Sequence, residues 1–567
     1  MTRHTKFFSI IRNSAKFYFM VLFGSKLNNP VHPTMIVLNS VLFLLPMSWP
    51  MISAAQGKDQ ALSFIIFVQH DHAVSTWGIK SDRFKEINPT PNIDNLGKTG
   101  YSFINAFCSN GSSSPGSATL LTGKFAHQHG LLFNGNRFDP NQPTLPRALA
   151  SNGYETALFG RWDLKTEPAD FNHWEVLEER NEFFNPTIIS AAGERQIEGH
   201  ATDIITDLLI QWIRRRESSI KPFLAFVFYN ATQRPWMPSL RQLETYNNIL
   251  LPEPPSLFYN QKDLAPASRY QMNEIGNDLN LTSDLFVGST LKPSVNKSEV
   301  LSIYEKNLAR MNEEQFSTWQ LLWRPQNEAY LRNIPTGDEL LRWKYQRFAK
   351  NYIRCIRDVD SNIGRFRSFY EQFTNQECVF VYTATQGRFI GENGWFGSQW
   401  MMDPSMRIPL SFTFINSKEY SPRKIKANAQ DIDLVPTLLS LANCSKFETN
   451  HGIALNEEDW NSKELNKRKS LYFHHYDFPG SGMIAKHYGI RTRDFKLIHY
   501  YQFDEWELLD VENEQTETKN IFNSNNEIED LKKRLAEIQV QVSDRSDKSI
   551  MPEKWRRIYR GPSARME

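Results

Sequence analysis

Residues 63–73, SFIIFVQHDHA, form a short, almost continuous apolar run that breaks into polar side chains at its end. A run of that length without alternation fits a strand covered on both faces, as in a parallel sheet packed under helices. Similar runs recur at 156–159, 222–229 and 378–383, with helical stretches such as 201–216 and 340–372 between them. This alternation predicts an α/β fold built on a large mixed, mostly parallel sheet sandwiched by helices in doubly wound order. Polar residues that follow such a strand, here His70 and Asp71, fall at the carboxyl edge of the sheet, where α/β folds place their sites.

The 567 residues can hold one large domain and a smaller one, and 40% apolar with 13% aromatic residues supplies ample core. A formal charge of +2, from 65 basic and 63 acidic residues, gives none of the basic excess that nucleic-acid binding shows. A polyanionic partner would instead need a local basic cleft. Residues 251–336 are rich in Asn, Ser and Pro and show only short amphipathic pieces, which predicts an excursion over the main domain. Beyond about residue 420, SLYFHHYDF, HYGIRTRDFKLIHYY and WELLDVE alternate as aromatic-rich strands, and a polar helix is expected over 527–542. The expected organisation is an α/β domain over 57–450 and a C-terminal α+β subdomain, an antiparallel sheet with a packing helix, over 451–567.

Residues 1–56 are expected to be a signal peptide or a membrane anchor. Arg3, Lys6, Arg12, Lys16 and Lys26 precede an apolar run at 35–55, and Ser53, Ala54 and Ala55 offer small residues for cleavage. An uncleaved anchor is the other reading, although Pro46 and Pro50 interrupt the run. In either case the remainder of the chain is expected to be exported, to the periplasm or beyond. Cys108, Cys355, Cys378 and Cys444 are too scattered for a disulfide framework or a zinc site and read as packed thiols or one or two disulfides. Asn110, Asn230, Asn280, Asn296 and Asn443 head glycosylation sequons.

Residues 103–130, FINAFCSNGSSSPGSATLLTGKFAHQHG, resemble the active-site segment of sulfatases, a C-x-P-x-R or S-x-P-x-R motif with a small-residue run, T-G and H-x-x-G after it. Further frame pieces follow in family order, among them GYETALFGRWDL, ATQRPWMP, GENGWFGSQWMMDPSMRIPL and DIDLVPTLLSLA. The likeness runs from residue 63 to about 544 and is nearest to the bacterial sulfatases of sulfated polysaccharides. It implies an alkaline-phosphatase-like fold, a Ca2+ site and a formylglycine nucleophile, formed by oxidation of the first motif residue and steadied by the motif arginine. It also implies a sulfated polysaccharide as the partner.

The scaffold is kept while the chemistry-bearing residues change. The nucleophile position is Ser113 and the arginine position is Ser117. The Asp-Asp metal pair is His70 and Asp71, and the later T-S-D-N-G ligands are Thr385 and Gln386. A hard divalent cation is held by charged oxygen ligands, so a set with one carboxylate should bind calcium weakly. The family's G-K-W-H-L lysine and histidine are Arg161 and Asp163, the second of which would repel sulfate. The H-R-P-W histidine, which resembles a leaving-group proton donor, is Gln233, and an amide cannot supply that proton. The lysine expected after G-E-x-G-W-F is Ser398.

For what remains, structural roles compete with functional ones. Asp71 could cap a turn, His127 and His129 suit structural hydrogen bonds, and Tyr472, Phe473, Tyr476 and Phe478 suit core packing. His474, His475, His487 and Arg491, with Lys486, Tyr488 and Arg493 beside them, occupy a segment that in similar sulfatases leans over the cleft, and they are the expected substrate contacts. The leading expectation is a catalytically impaired sulfatase-fold protein that binds a sulfated glycan. The alternative is an active sulfatase with a rebuilt site around Ser113, Asp71, His70, Arg161 and Asp163. A phosphatase or phosphodiesterase with a serine nucleophile would require the same missing metal ligands. Restoring the motif arginine alone, Ser117→Arg, is expected to yield no sulfate release; measurable release from that single variant would overturn the impaired reading.

Overall fold

The computed structural model describes residues 61–288, 301–417, 420–449, 451–456, 460, 468–514 and 516–560. The expected N-terminal signal or anchor and the Asn296 sequon lie outside them. Among the described residues no helix is long and apolar enough to cross a membrane.

In chain order the strands begin with β1 (Ser63–Gln69), β2 (Tyr101–Phe103), β3 (Ala106–Phe107), β4 (Glu155–Gly160), β5 (His173–Leu177) and β6 (Thr187–Ser190). They continue with β7 (Gly193–Gln196), β8 (Phe223–Tyr229), β9 (Cys378–Ala384), β10 (Arg407–Ile408), β11 (Leu410–Ile415), β12 (Arg423–Ile425) and β13 (Ala429–Gln430). Ten of these form one sheet in the order β12-β2-β11-β9-β1-β8-β4-β5-β6-β7. The central run from β9 to β5 is parallel, β1 pairing Phe64 with Leu224 on one side and Val379 on the other. The flanks turn antiparallel at β11 and at β6 and β7. The expected mixed, mostly parallel sheet is thus observed, and its four central members β9, β1, β8 and β4 are the apolar runs legible in the sequence.

Those runs lack alternation because both faces are covered. Phe64, Ile66 and Val68 enter one core with Leu120 and Leu121 of helix α1 (Ser113–Thr122), while Ile65 and Phe67 enter a second core on the opposite face. That second core is closed by helices α2 (Ala201–Arg215) and α4 (Gly337–Phe373) through residues such as Leu209, Tyr352 and Val359. All four cysteines are free, and Cys444 alone is not fully buried.

The excursion at 251–336 contains more order than its composition suggests. Helix α3 (Glu313–Arg332) runs 20 residues, opened by an Asn312 cap that accepts from the Gln315 amide. Phe316, Trp319 and Trp323 line its inner face at helical spacing, against Phe286 and Tyr304. The expectation of short pieces failed because Pro325 and the polar outer face dilute that stripe.

At the C-terminal end, β14 (Leu471–His475), β15 (His487–Arg491), β16 (Phe495–Tyr500) and β17 (Glu505–Asp510) form the expected four-stranded antiparallel sheet, backed by helix α5 (Ile528–Gln541). Its other face shares the main core through Leu471, Phe473 and Ile498. A buried ionic cluster also ties it in: Lys496 Nζ donates to Asp403 at 2.6 Å, and Arg407 and Arg491 reach the same carboxylate. Burial opposes the charge of Asp403, yet Arg407, Arg491 and Lys496 together hold its carboxyl well below the usual range.

Candidate active site

The carboxyl ends of β1 and β9 lie side by side, so His70 and Asp71 meet Thr385 and Gln386. Thr385 N donates to Gln69 O, and His72 N donates to Gln386 O. The backbone at Asp71 is left-handed, with φ of 57°. It is held there because Thr232 Oγ1 donates to the carbonyls of both His70 and Asp71, at 3.1 and 3.0 Å, and the Tyr352 hydroxyl donates to the second. Such a conformation persists in a non-glycine residue only where the surroundings fix it.

Fixed in this way, the Asp71 carboxylate has a partner on each oxygen. Oδ1 accepts from Gln386 Nε2 at 2.7 Å, and Oδ2 accepts from Arg388 Nη2 at 2.5 Å. Arg388 also donates to Phe396 O at 2.7 Å and stacks over the Trp236 ring at 5.6 Å. Asp71 therefore caps no turn; it is half of a buried ion pair. Its neighbour His70 is 1% exposed, with Nδ1 at 3.2 Å from Thr385 Oγ1 and Nε2 without a partner. Burial, then the positive charges of Arg161 and Arg180, hold its pKa well below the ordinary value, so the imidazole is neutral.

The second half of the site gathers on Arg161. Gly160, with φ of 93°, ends β4 in a conformation that a β-carbon would oppose, since it would meet Phe228 O at 2.1 Å. The turn presents Arg161 to α1. Its Nη2 donates to Ser113 Oγ at 3.1 Å, its Nη1 donates to Gln233 Oε1 at 2.9 Å, and it forms an ion pair with Asp163. Ser113 occupies the first turn of α1 and donates to Asn134 Oδ1 at 3.3 Å. Gly116 lets the helix approach the end of β9, where a β-carbon would sit 3.0 Å from Thr385. Ser117 is buried one turn on, and Ser398 is half-buried.

The structure thus brings together Ser113, Arg161, Asp163 and Gln233, and beside them His70, Asp71, Thr385 and Gln386. Sequence reasoning missed two cations. Arg388 follows Gln386 by two residues, outside any motif position, and Arg180 carries its charge toward Arg161, Asp163 and Asp71 from the start of the loop after β5. No motif in the sequence marked either of them.

The side chains expected to contact substrate lie on β14 and β15 of the small sheet. His474 is buried, with Nδ1 at 2.9 Å from Asp544 Oδ2 and its ring stacked on Tyr476. His487 accepts from Met401 N at Nε2 and donates from Nδ1 to Ala485 O, which fixes a neutral tautomer. Arg491 joins the Asp403 cluster and donates to Thr492 O. His475 is 1% exposed, and burial beside His487 keeps its pKa far below the ordinary range. Tyr488 pairs with His499, and Arg493 pairs with Glu512 on the surface. These side chains build the small sheet, which in turn positions the chain entering α1: His474 N donates to Ser109 O, and Asn110 Nδ2 donates to His474 O. His127 and His129 make structural hydrogen bonds, to Val542 O and Tyr476 in the first case and from Leu131 N in the second.

Two family models match, the sulfatase model over residues 63–444 and the C-terminal model of N-sulphoglucosamine sulphohydrolase over 391–543. The chain belongs to the sulfatase family. An N-acetylglucosamine-6-O-sulfatase of Bacteroides thetaiotaomicron is 34% identical over 449 residues, 76% of this chain and 78% of the relative. An uncharacterized sulfatase, YidJ, of Escherichia coli is 24% identical over 80% of this chain and 81% of its own. Among solved structures, BT4656 in complex with its substrate D-glucosamine-2-N,6-O-disulfate superposes with a TM-score of 0.80 at 31% identity, covering 86% of this chain and 99% of that one. Sulfatases in general depend on formylglycine and Ca2+; in this chain Ser113 lies against Arg161 and Asp71 against Arg388.

Removing Arg388 would leave a buried carboxylate without its cation. Arg388→Ala is therefore expected to lower stability by about 3–5 kcal/mol in chemical denaturation. The double variant Asp71→Asn with Arg388→Gln, which leaves no charge unpaired, is expected to recover most of that loss; equal destabilisation by the two would refute the pairing.

Proposed function

We propose that this sulfatase-family chain binds a sulfated glycan without hydrolysing it. The observation that carries this reading is the Arg388 guanidinium on Asp71, at 2.5 Å, where the family sequence pattern places a metal ligand. Calcium requires six to eight oxygen ligands, several of them charged. Here one carboxylate is engaged on both oxygens, the Gln386 amide points its nitrogen at it, and Thr385 is paired with a neutral His70. A divalent cation would also meet the charges of Arg388, Arg161 and Arg180. These residues do not fit the metal.

Without that ion the remaining groups do not assemble a hydrolytic site. Ser113 Oγ has a cation and an amide as neighbours, and no base. Gln233 accepts a hydrogen bond from Arg161 and has no proton for a leaving alcohol. The rival reading needs Asp163 as a replacement ligand, but its ion pair with Arg161 opposes that role. What the groups do offer is attraction for an anion: Arg161, Arg180 and the amino end of α1 present positive charge to one locus. The relatives act on 6-sulfated glucosamine and its N-acetyl form, and we infer a ligand of that class.

The test is calorimetric titration with a 6-O-sulfated glucosamine oligosaccharide and its desulfated counterpart, beside a sulfate-release assay with and without calcium. Binding at least about tenfold tighter for the sulfated form, lost in Arg161→Ala, with no release in either buffer, is the expected result. Calcium-dependent release would overturn it.

A further inference from the structure

Helix α4 uses two faces for different purposes. Tyr345, Phe348, Tyr352 and Ile356 point into the core beneath the sheet. Arg347, Lys350 and Arg354, at the i, i+3, i+7 spacing of a single stripe, face instead a half-open pocket of about 290 Å³ lined also by Asn247, Asn248 and Gln326. The cavity lies on the opposite side of the helix from Tyr352, the residue that holds the Asp71 carbonyl.

The charge in this cavity is one-sided. Arg354 is 1% exposed and Arg347 7%. Arg347 donates to Leu285 O, Gln326 Oε1 and Asn327 Oδ1, and Arg354 donates to Thr245 O, Asn351 Oδ1 and Asn247 Oδ1. Lys350 Nζ donates only to Asn247 O, at 3.2 Å. Every acceptor is neutral, no residue lining the cavity is acidic, and among the described residues no carboxylate pairs with any of the three cations. A guanidinium has five N–H donors and an ammonium three, so each head keeps donors to spare. The Trp323 ring, 4.0 Å from Arg347 and 5.5 Å from Arg354, fixes both heads but brings no negative charge.

Buried cations are normally paired, because the loss of hydration is severe. The strain is visible in the ammonium of Lys350, which burial and then Arg354 and Arg347 push down to about 8, and in Arg347, pushed down to about 9 by burial and Arg354. Two fixed guanidinium forks and a mobile ammonium around one space are the donor set that tetrahedral oxyanions select. The volume exceeds that of a lone ion and leaves room for part of a sugar ring carrying the group.

We propose that Arg347, Lys350 and Arg354, with the amides of Asn247, Asn248 and Gln326, form a second ligand site that binds a sulfate or phosphate group, free or esterified to a sugar. It is independent of the Arg161 locus. An anion that binds the folded state alone raises the unfolding midpoint with concentration until the site saturates.

The experiment follows thermal unfolding of the full chain at constant ionic strength in chloride, with low-millimolar sulfate, phosphate, glucosamine 6-sulfate, glucose 6-phosphate or unsubstituted glucosamine. A saturable rise with the oxyanions, absent with glucosamine or chloride, is expected in the native protein and in Arg161→Ala, which removes the cation of the other locus. Response to the sugar esters as well as the free ions assigns an ester site; response to the free ions alone assigns an ion site. Lys350→Gln, at a half-buried residue with one weak bond, should weaken the apparent affinity at least about tenfold. Lys350→Glu should supply the missing anion from within, melting above the native protein in chloride and gaining nothing from sulfate. An unchanged oxyanion response in both Lys350 variants, or a response lost in Arg161→Ala, would overturn the second site while leaving the Arg161 reading intact.

Discussion

The ion pair between Arg388 and Asp71 ties the two central strands together at their functional edge. A carboxylate at the end of β1 cannot be buried without a counter-charge, and the guanidinium comes from the segment just beyond β9. The pair works because the hydrogen bonds around it are nearly complete. Gln386 takes the second carboxylate oxygen, Phe396 O takes another guanidinium N–H, and Thr232 and Tyr352 fix the strained backbone from below. An arginine and a calcium ion both neutralise a carboxylate, but an arginine brings its donors on a fixed planar fork and has no open coordination position. It holds the strand ends in place.

Arg161 plays the same part in the other half of the site. Its guanidinium joins Ser113, Gln233 and Asp163, which the chain delivers from the start of α1, the segment after β8 and the turn after β4. Each partner is then held in an accepting role. With Arg161 and Arg180 both near, an imidazolium at His70 would be repelled and desolvated at once, and the ring stays neutral. The neutral imidazole, the accepting partners and the clustered cations therefore belong to one electrostatic arrangement.

Much of the fold was legible because it rests on local pattern. The unbroken apolar stretches at β1, β8 and β9 could only be strands covered on both faces, and the helix expected at 340–372 is observed as Gly337–Phe373. Helix α3 escaped because its inner face is a thin aromatic stripe interrupted by Pro325. In the site, the motif order placed Ser113, Arg161, Gln233 and Asp71 near one another, since the frame around each is retained. Arg388 was not legible, because its partner lies 317 residues away and nothing local marks a side chain for burial. The burial of the histidines of β14 and β15 was hidden for a related reason. Exposure on a short antiparallel sheet depends on what covers each face, and here α5 covers one face while the main core covers the other.

The geometry also orders the substitutions. A carboxylate placed at Gln386, whose amide meets Asp71 Oδ1 at 2.7 Å, would face Asp71 directly, with Arg388 on the other oxygen as the cation that answers both charges. A histidine in place of Asp163 would release Arg161 from its acid, raising the positive charge against Ser113 with no anion to balance it. Only removal of Arg388 opens the position itself, and by the same act it exposes Asp71 as an unpaired buried charge. A cation placed at Asp71 would therefore require a change at Arg388 together with a second ligand.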